Sequence, residues 1–261
     1  MNSNFEISVE NGIARFTINR PHKRNAMTLK MWEEMGDIFK DWVNDKTVKV
    51  IILSGAGDKS FCAGNDISEF SKLRSTPTDV TIYNNIVSKT YETIQNIPKP
   101  TIARIMGNCV GGGLELTQLC DLQIAAETAS FGVTPAKLGI AYKFEDSRLL
   151  VNNVGIKAAK EMLFTAQIFP ASDALRWGLI SRIVLDEELD FQVDKLANDI
   201  AANAPLSLKA TKLIINETRK LSVEADLELC QSLLDECTNS ADVVEGRQAF
   251  LEKRPPKFKG R

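Results

Sequence analysis

Three consecutive glycines, Gly111 to Gly113, lie in the segment GNCVGGGLEL and strongly limit what this chain can fold into. Glycine loses more backbone freedom on folding than other residues, so such a run indicates a sharp turn or a close approach of the backbone to another group. The helix formers that follow, LELTQLC, predict that a helix begins here. A helix start carries free N–H groups and a partial positive charge. The segment therefore predicts either a tight packing turn or a site for an anion or a developing oxyanion.

The composition is that of an ordinary globular chain. Of 261 residues, 44% are hydrophobic, and 32 basic residues nearly balance 34 acidic ones. This balance predicts neither a nucleic-acid partner nor a membrane surface. No apolar run approaches the roughly 18 residues of a membrane span, and the opening MNSNFEISVENG does not resemble a signal peptide. Together with five cysteines at spacings unlike those of zinc sites, these features predict a cytoplasmic protein with free thiols.

The chain contains a single histidine, His22, in a predicted turn after NRP. Ser-His or Cys-His catalysis would have to use this one residue, and histidine-rich metal sites are excluded. We therefore predict no metal centre. If the chain is an enzyme, its chemistry depends on carboxylates, tyrosine, backbone amides or a cofactor.

Strands and helices alternate along most of the sequence. Two alternating runs around Asn11-Gly12 predict a β-hairpin, and residues 28–45 have helical periodicity behind a Thr28 cap. The alternation continues to about residue 185 and predicts a layered α/β fold, whereas the pattern from about residue 187 onward is helical. We divide the chain into a core at 1–203 and a helical region at 204–261.

A second segment, SFCAGNDISEF at 60–70, also follows a predicted strand and a turn. Its small residues, Ala63 and Gly64, leave backbone N–H groups accessible, as the triple glycine does. Two loops of this kind can each direct one amide at a single oxygen atom. In a comparable oxyanion hole one such donor contributes about 3–4 kcal/mol.

Six segments in order resemble the crotonase (enoyl-CoA hydratase/isomerase) family over essentially the whole chain. They are NRPHKRNAM, FCAGNDISEF, KPTIARIMGNCVGGGLELTQLCD, FGVTPAKLGI, ALRWGLISRIV and AFLEKRPPKFKGR. The resemblance implies a spiral of repeated ββα units with a helical C-terminal trimerisation region. It also implies homotrimers or homohexamers, and an acyl-CoA thioester as substrate with no further cofactor, since the coenzyme A belongs to the substrate.

Residue roles are carried over from the family at the matching positions. The amides of Asn65 and Gly112 would form the oxyanion hole, and the residues expected to bind CoA are Lys23, Arg24, Ala26, Ala63, Gly64, Asp66, Ile67, Phe250 and Lys253. Phe250 and Lys253 match positions that reach CoA from the C-terminus, often across a subunit boundary. A solvated surface charge is the alternative for each lysine and arginine.

The sequence departs from the hydratase pattern at one of two catalytic acids. Glu115 matches the first glutamate of the family, but the second position is Pro135. Thr134-Pro135 and Tyr142 look like the methylmalonyl-CoA decarboxylase branch. Removing a carboxylate at 135 would relieve repulsion of a malonyl-type substrate, which Tyr142 and Thr134 could orient. The expected activity is thus a lyase that decarboxylates a small malonyl-type thioester.

Two other functions stay open. An enoyl-CoA hydratase or isomerase could pair Glu115 with another acid, such as Glu145 or Asp146, which the sequence places on a loop. A non-catalytic relative that binds acyl-CoA or RNA is the third possibility, although the near-neutral charge argues against RNA.

Overall fold

The computed structural model describes residues 4–220 and 223–261. In these ranges the strands are β1 (Phe5–Glu10), β2 (Ile13–Ile18), β3 (Val50–Gly55), β4 (Ser60–Cys62), β5 (Thr101–Ile105), β6 (Asn108–Val110), β7 (Leu122–Ala126), β8 (Ser130–Gly132), β9 (Ile168–Pro170) and β10 (Arg182–Val184). The α-helices are α1 (Leu29–Asn44), α2 (Phe70–Leu73), α3 (Pro77–Asn96), α4 (Gly112–Leu119), α5 (Phe144–Thr165), α6 (Ala171–Trp177), α7 (Leu189–Ala201), α8 (Pro205–Thr218), α9 (Leu227–Thr238) and α10 (Ala241–Glu252).

The predicted hairpin and first helix are confirmed. Asn11 and Gly12 have φ values of 53° and 84°, which suits the tight turn between the antiparallel strands β1 and β2. Thr28 caps α1, because its hydroxyl accepts a hydrogen bond from the Met31 N–H at 3.2 Å. Both elements follow local sequence rules, and the structure keeps them close to their predicted bounds.

The chain forms two sheets by repeating one unit, a strand in the first sheet, a strand in the second and then a helix. One sheet has six strands in the order β1-β2-β3-β5-β7-β10, and the other has four in the order β4-β6-β8-β9. In the first sheet β5 lies between β3 and β7 and is parallel to both. After β3, β5 and β7 the chain passes into β4, β6 and β8 of the second sheet, where neighbours are again parallel. Helices α3, α4 and α5 follow these three strand pairs. The predicted α/β spiral of ββα units is therefore confirmed.

The core lies on both faces of the larger sheet. On one face, α1 buries Met31, Trp32 and Phe39, and packs against α3. On the other face, α7 contacts β3, β5 and β7 and buries Leu189 and Val193. These two layers fix the strand ends from which the loops of the candidate site emerge.

The described part of the chain after β10 is helical, as the sequence predicts. Helix α8 is tied to the core by Lys212, whose ammonium group lies 2.9 Å from the Asp121 carboxylate and 2.9 Å from the Lys99 carbonyl oxygen. Among the described helices, none combines the length and the apolar character that crossing a membrane requires.

Candidate active site

The loop after β4 holds the N–H of Asn65 in a defined direction. Met27 donates its N–H to the Gly64 carbonyl and accepts from the Asp66 N–H, both at 2.8 Å. These two bonds use the groups on either side of Asn65, so its own N–H points away from the bridge. The Trp32 indole N–H donates to the Asn65 side-chain oxygen at 2.7 Å. In residues 4–220 and 223–261, no backbone or side-chain atom accepts a hydrogen bond from the Asn65 N–H.

The triple glycine forms the start of α4. Gly111 has φ 56° and ψ −127°, a conformation that favours glycine, and the helix begins at Gly112. A Cβ on Gly113 would lie only 2.2 Å from the Cys62 carbonyl oxygen, so the helix start packs directly on the end of β4. The N–H of Gly112, in the first turn, has no partner inside the helix. The glycine run is thus required by packing, and it leaves a free donor at a positive helix end.

The two loops meet at Gly64. Its φ is 87°, and a Cβ built on it would lie 2.8 Å from the Gly112 amide nitrogen and 3.1 Å from the Val110 carbonyl oxygen. Only glycine allows this approach, which brings the backbone beside Asn65 next to the start of α4. Two neighbouring backbone donors of this kind can hold one carbonyl oxygen, and they hold it more strongly as it gains negative charge.

A cavity of about 330 Å³ opens from these loops. The five residues predicted to be catalytic all line it, namely Asn65, Gly112, Glu115, Thr134 and Tyr142. Three of the residues predicted to bind CoA also line it, namely Ala63, Gly64 and Ile67. A larger hollow of about 580 Å³ lies beside Arg15 and Asp190, but none of the predicted site residues lines that one.

The other predicted CoA contacts lie outside the cavity. Exposed Lys23 and Arg24 lie in and after a short 3-10 helix, Pro21–Lys23. Phe250 and Lys253 are also exposed, at the end of α10. In this single chain they form no part of the cavity wall.

Asp66 and Ala26 stabilise the loop from within. The Arg20 guanidinium lies 3.1 Å from the Asp66 carboxylate and donates to the Ala26 carbonyl oxygen at 2.7 Å. Hydrogen bonding from Ser68, supported by Arg20, holds the pKa of Asp66 below its ordinary value. These contacts give Asp66 and Ala26 a structural role in holding the loop.

Tyr91, which the sequence analysis did not identify, orients Glu115. Its hydroxyl donates to a Glu115 carboxylate oxygen at 2.8 Å. Burial, followed by the charge of Glu115, raises the pKa of Tyr91 well above its ordinary value, so the hydroxyl stays a donor. The Tyr91 ring packs edge-on against Trp32 with centroids 5.4 Å apart. Tyr91 lies on α3, far from Glu115 in sequence, and no local signal marks it.

Asp146 is a second carboxylate in the same cavity. The sequence placed it on a loop, but α5 begins at Phe144, so Glu145 and Asp146 occupy the first turn of a helix, where acidic residues are favoured. Glu145 is exposed, whereas Asp146 is partly buried and lines the cavity. Burial, and next the charge of Glu115, raises the pKa of Asp146 to about 6 against the opposing effect of Lys143. Of the two acids that the sequence left open, Asp146 lines this cavity and Glu145 does not.

Tyr142 presents a buried hydroxyl without a hydrogen-bond partner in the described part of the chain. Burial raises its pKa well above the ordinary value, and the charge of Glu115, the approach of the Glu115 carboxylate to the hydroxyl, and the charge of Asp146 act in the same direction. Thr134 and Pro135 stand at the start of another 3-10 helix, Pro135–Leu138, on the same wall. Among the described residues, no three His, Cys, Asp or Glu side chains are grouped as metal ligands would be.

Comparison with known proteins identifies the family of this chain. The sequence model of the Enoyl-CoA hydratase/isomerase family matches residues 8–261. The chain is 35% identical to the short-chain-enoyl-CoA hydratase of Clostridium acetobutylicum, covering 97% of this chain and 96% of that protein. It is 33% identical to the crotonyl-CoA hydratase of Syntrophomonas wolfei, covering 98% and 97%.

Solved structures extend the likeness to three dimensions. An enoyl-CoA hydratase/carnithine racemase from Magnetospirillum magneticum superposes with a TM-score of 0.93 at 34% identity, covering 100% of this chain and 97% of that one. An enoyl-CoA hydratase from Bacillus anthracis gives a TM-score of 0.93 at 30% identity, covering 99% and 100%. The chain belongs to the enoyl-CoA hydratase/isomerase family, the crotonase superfamily.

Proposed function

We propose that this protein is an enoyl-CoA hydratase or isomerase in which Glu115 and Asp146 form the acid–base pair. The observation that carries this proposal is that Asp146 lines the cavity of Glu115 with its pKa raised to about 6. Two carboxylates whose surroundings differ are typical of sites that remove and deliver a proton in one reaction. The hydratase names of the relatives from Clostridium and Syntrophomonas also support it.

The thioester carbonyl oxygen is proposed to accept hydrogen bonds from the N–H groups of Asn65 and Gly112. These donors are free in the described structure, and α4 adds the positive end of its dipole. When a nucleophile adds at C3 of a 2-enoyl group, or a proton leaves C2 of a 3-enoyl group, electrons move into the carbonyl and the oxygen becomes an enolate. Fixed donors aimed at that oxygen lower the barrier because they need no reorganisation.

In hydration, Glu115 takes one proton from water while the water oxygen bonds to C3 of the enoyl group. Asp146, protonated, then gives its proton to C2 as the enolate collapses, and the thioester is restored. Tyr91 keeps the Glu115 carboxylate in position for this step through its hydrogen bond at 2.8 Å. In isomerisation the same pair would move a proton between C4 and C2 without water.

The binding of the CoA portion follows the family pattern in this proposal. Lys23, Arg24, Ala26, Ala63, Gly64, Asp66 and Ile67 would bind the pantetheine and adenine parts. Phe250 and Lys253 would complete the site from a neighbouring subunit in a trimer or hexamer built by residues 204–261. We propose no cofactor beyond the CoA that the substrate carries, and a cytoplasmic location.

Decarboxylation of a malonyl-type thioester is the second candidate, and one observation favours it. The Tyr142 hydroxyl is buried and unpartnered in the described structure, beside Thr134 on the same wall, so it can donate to a substrate carboxylate. Against it, Asp146 brings a second carboxylate into the cavity even though Pro135 removes one. Like charges close together are unfavourable, so a carboxylate on C2 would be repelled.

Turnover with three thioesters separates the candidates. Crotonyl-CoA, a 3-enoyl-CoA and methylmalonyl-CoA are offered to the unmodified protein, with hydration, double-bond migration and CO2 release measured. The proposal expects turnover of an enoyl-CoA and no CO2. Release of CO2 from methylmalonyl-CoA without enoyl turnover would overturn it in favour of decarboxylation. Binding of all three without turnover would indicate a non-catalytic acyl-CoA-binding protein.

A further inference from the structure

Arg74, at the end of α2, brings an unpaired positive charge to the cavity wall. Its guanidinium lies over the ring of Phe70 at 4.8 Å and over the ring of Tyr83 at 5.1 Å. Within residues 4–220 and 223–261, the guanidinium makes no hydrogen bond and no ion pair. Stacking of this kind holds the plane of the guanidinium and leaves its N–H donors available at the edge.

The acidic residues nearest in sequence are already engaged elsewhere. A Glu69 carboxylate oxygen accepts from the Leu29 N–H at 2.9 Å. Asp66 is paired with Arg20 at 3.1 Å. Neither carboxylate forms an ion pair with Arg74 in the described structure, although their charges reach the same part of the cavity. Burial, and then the charges of Glu69 and Asp66, raise the pKa of Tyr83, which Arg74 lowers. The five N–H donors of the guanidinium favour a carboxylate or phosphate partner.

The hydroxyl of Tyr83 is a second unsatisfied group at the same place. Tyr83 is 1% exposed and lines the cavity, and its hydroxyl has no hydrogen-bond partner in the described structure. Its ring packs edge-on against Phe70 with centroids 5.8 Å apart, a contact that phenylalanine would make equally well. A buried hydroxyl without a partner destabilises a fold, so the one retained here indicates an acceptor supplied by a ligand.

We infer that Arg74 and Tyr83 bind a carboxylate at the far end of a short acyl chain. The substrate class is thus an acyl-CoA thioester of a dicarboxylic acid. The inference rests on the proposed function in one respect, namely that the acyl group occupies this cavity. The guanidinium can donate two parallel hydrogen bonds to the carboxylate, and the Tyr83 hydroxyl can donate a third.

The position of the charges decides which dicarboxylic acids fit. Glu115 and Asp146 line the same cavity, so a carboxylate beside the reacting carbons would face two like charges. In this proposal a carboxylate several carbons from the thioester lies away from Glu115 and Asp146. Arg74 offsets the charges of Glu69 and Asp66 that act at Tyr83. This arrangement disfavours malonyl-type substrates and favours glutaryl-like chains.

Calorimetric binding of two saturated thioesters tests the inference without any turnover. Glutaryl-CoA and pentanoyl-CoA have acyl chains of equal length and differ in the terminal carboxylate. Since hydrogen bonds to charged groups are the stronger ones, glutaryl-CoA is expected to bind about tenfold to a hundredfold more tightly. Arg74→Met should abolish this preference and leave pentanoyl-CoA affinity unchanged, and Tyr83→Phe should reduce it in part.

Matched controls separate the possible outcomes. Lys72→Met removes an exposed cation from the same short helix and should leave the preference intact. Equal affinity of the two thioesters for the unmodified protein would overturn the inference. So would an Arg74→Met protein that loses affinity for both equally, because Arg74 would then contact the CoA portion. Failure of the proposed function appears separately, as absent enoyl-CoA turnover while the glutaryl preference persists.

Discussion

The two sides of the cavity are built on different principles. One side, the rim, consists of the backbone around Asn65 and Gly112, whose two N–H groups have no hydrogen-bond acceptor in the described part of the chain. The opposite side, the wall, runs from Thr134 to Asp146 and acts through side chains. On the wall a tyrosine hydroxyl has no partner in the described structure, and a carboxyl group has its pKa raised to about 6.

This difference separates two requirements: stabilising a thioester enolate, which all reactions of this class share, and placing protons or carboxylates, which differs between individual reactions. Backbone donors persist through most substitutions, and they can stabilise any thioester enolate. Side chains on the wall can change one at a time, and each change alters where protons or carboxylates are held. We therefore propose that the rim sets the chemistry common to the family and that the wall, together with Glu115, selects hydration, isomerisation or decarboxylation.

The largest effect is expected from removing the carboxylate that stands between rim and wall. Glu115→Gln keeps the shape of the side chain but removes the base, so kcat for enoyl-CoA turnover should fall about 10²- to 10⁴-fold. Calorimetry should show nearly unchanged binding of a saturated acyl-CoA, because the rim is intact. Glu92→Gln, on the cavity-facing helix α3 but exposed, is the control. Full activity of Glu115→Gln would mean that the acid–base pair lies elsewhere.

The rim itself is tested at Gly64. A Cβ there would lie 2.8 Å from the Gly112 amide nitrogen, so Gly64→Ala should push the two loops apart and misdirect a donor. Loss of one oxyanion donor reduces kcat about 10²- to 10³-fold, and the loss should be similar for every substrate that the protein turns over.

Gly139→Ala is the matched control for Gly64→Ala. Gly139 also has a positive φ, 68°, but a Cβ there would meet open space, so only backbone strain is introduced. Its activity should stay within a few-fold of the unmodified protein. If the two variants lose activity equally, strain rather than the approach of the two loops explains the Gly64→Ala result.

The sequence predicted the rim because its constraints are local. A glycine that must adopt a positive φ or allow a close backbone contact can be identified in the sequence itself. Gly64, Gly111 and Gly113 each meet such a constraint in the structure. The hairpin at Asn11-Gly12 and the Thr28 cap were predictable for the same reason. Where a short segment determines its own backbone, reading the sequence locates it within a few residues.

The wall was predicted less completely because its chemistry depends on distant segments. Tyr91 meets Glu115 because α3 and α4 pack together. In the described residues Asp66 and Glu69 bond Arg20 and the Leu29 N–H rather than Arg74. Asp146 appeared in the sequence as one of two alternative loop acids. The choice between it and Glu145 depends on which face of α5 turns toward the cavity, and that face is set by tertiary packing.

The pKa of Asp146 gives the next prediction. If protonated Asp146 delivers the proton to C2, kcat/KM for hydration should fall as pH rises above about 6, the pKa that burial and the Glu115 charge produce. Asp146→Asn should be slow, by about two powers of ten, and should lack this basic limb. Glu145→Gln, the exposed neighbour, should keep it. An unmodified protein whose kcat/KM is flat from pH 5 to 8 would remove Asp146 from the acid role.

The raised pKa of Asp146 also predicts how the free energy of unfolding changes with pH. The folded chain holds the Asp146 proton up to about pH 6, whereas an unfolded chain releases it near the ordinary value of 3.8. Between these values the folded state binds more protons, so the free energy of unfolding falls as pH rises through this window. Asp146→Asn removes that loss, and urea unfolding should show the variant gaining stability relative to the unmodified protein at pH 7 but not at pH 4. Equal differences at both pH values would contradict the raised pKa.

The smallest effect on hydration is expected from Tyr142→Phe. The same substitution also distinguishes hydration from decarboxylation. The Tyr142 hydroxyl faces the Glu115 carboxylate but makes no hydrogen bond of normal geometry in the described structure. Tyr142→Phe should therefore leave enoyl-CoA hydration within about twofold, with stability unchanged or slightly raised. If the protein instead decarboxylates a malonyl-type thioester, the lost charge-assisted hydrogen bond should slow CO2 release by about one to two powers of ten. Rates of hydration and of CO2 release, measured on the same two proteins, distinguish these outcomes. A Tyr142→Phe protein that hydrates crotonyl-CoA normally would assign Tyr142 to packing, and the wall would then act through Asp146.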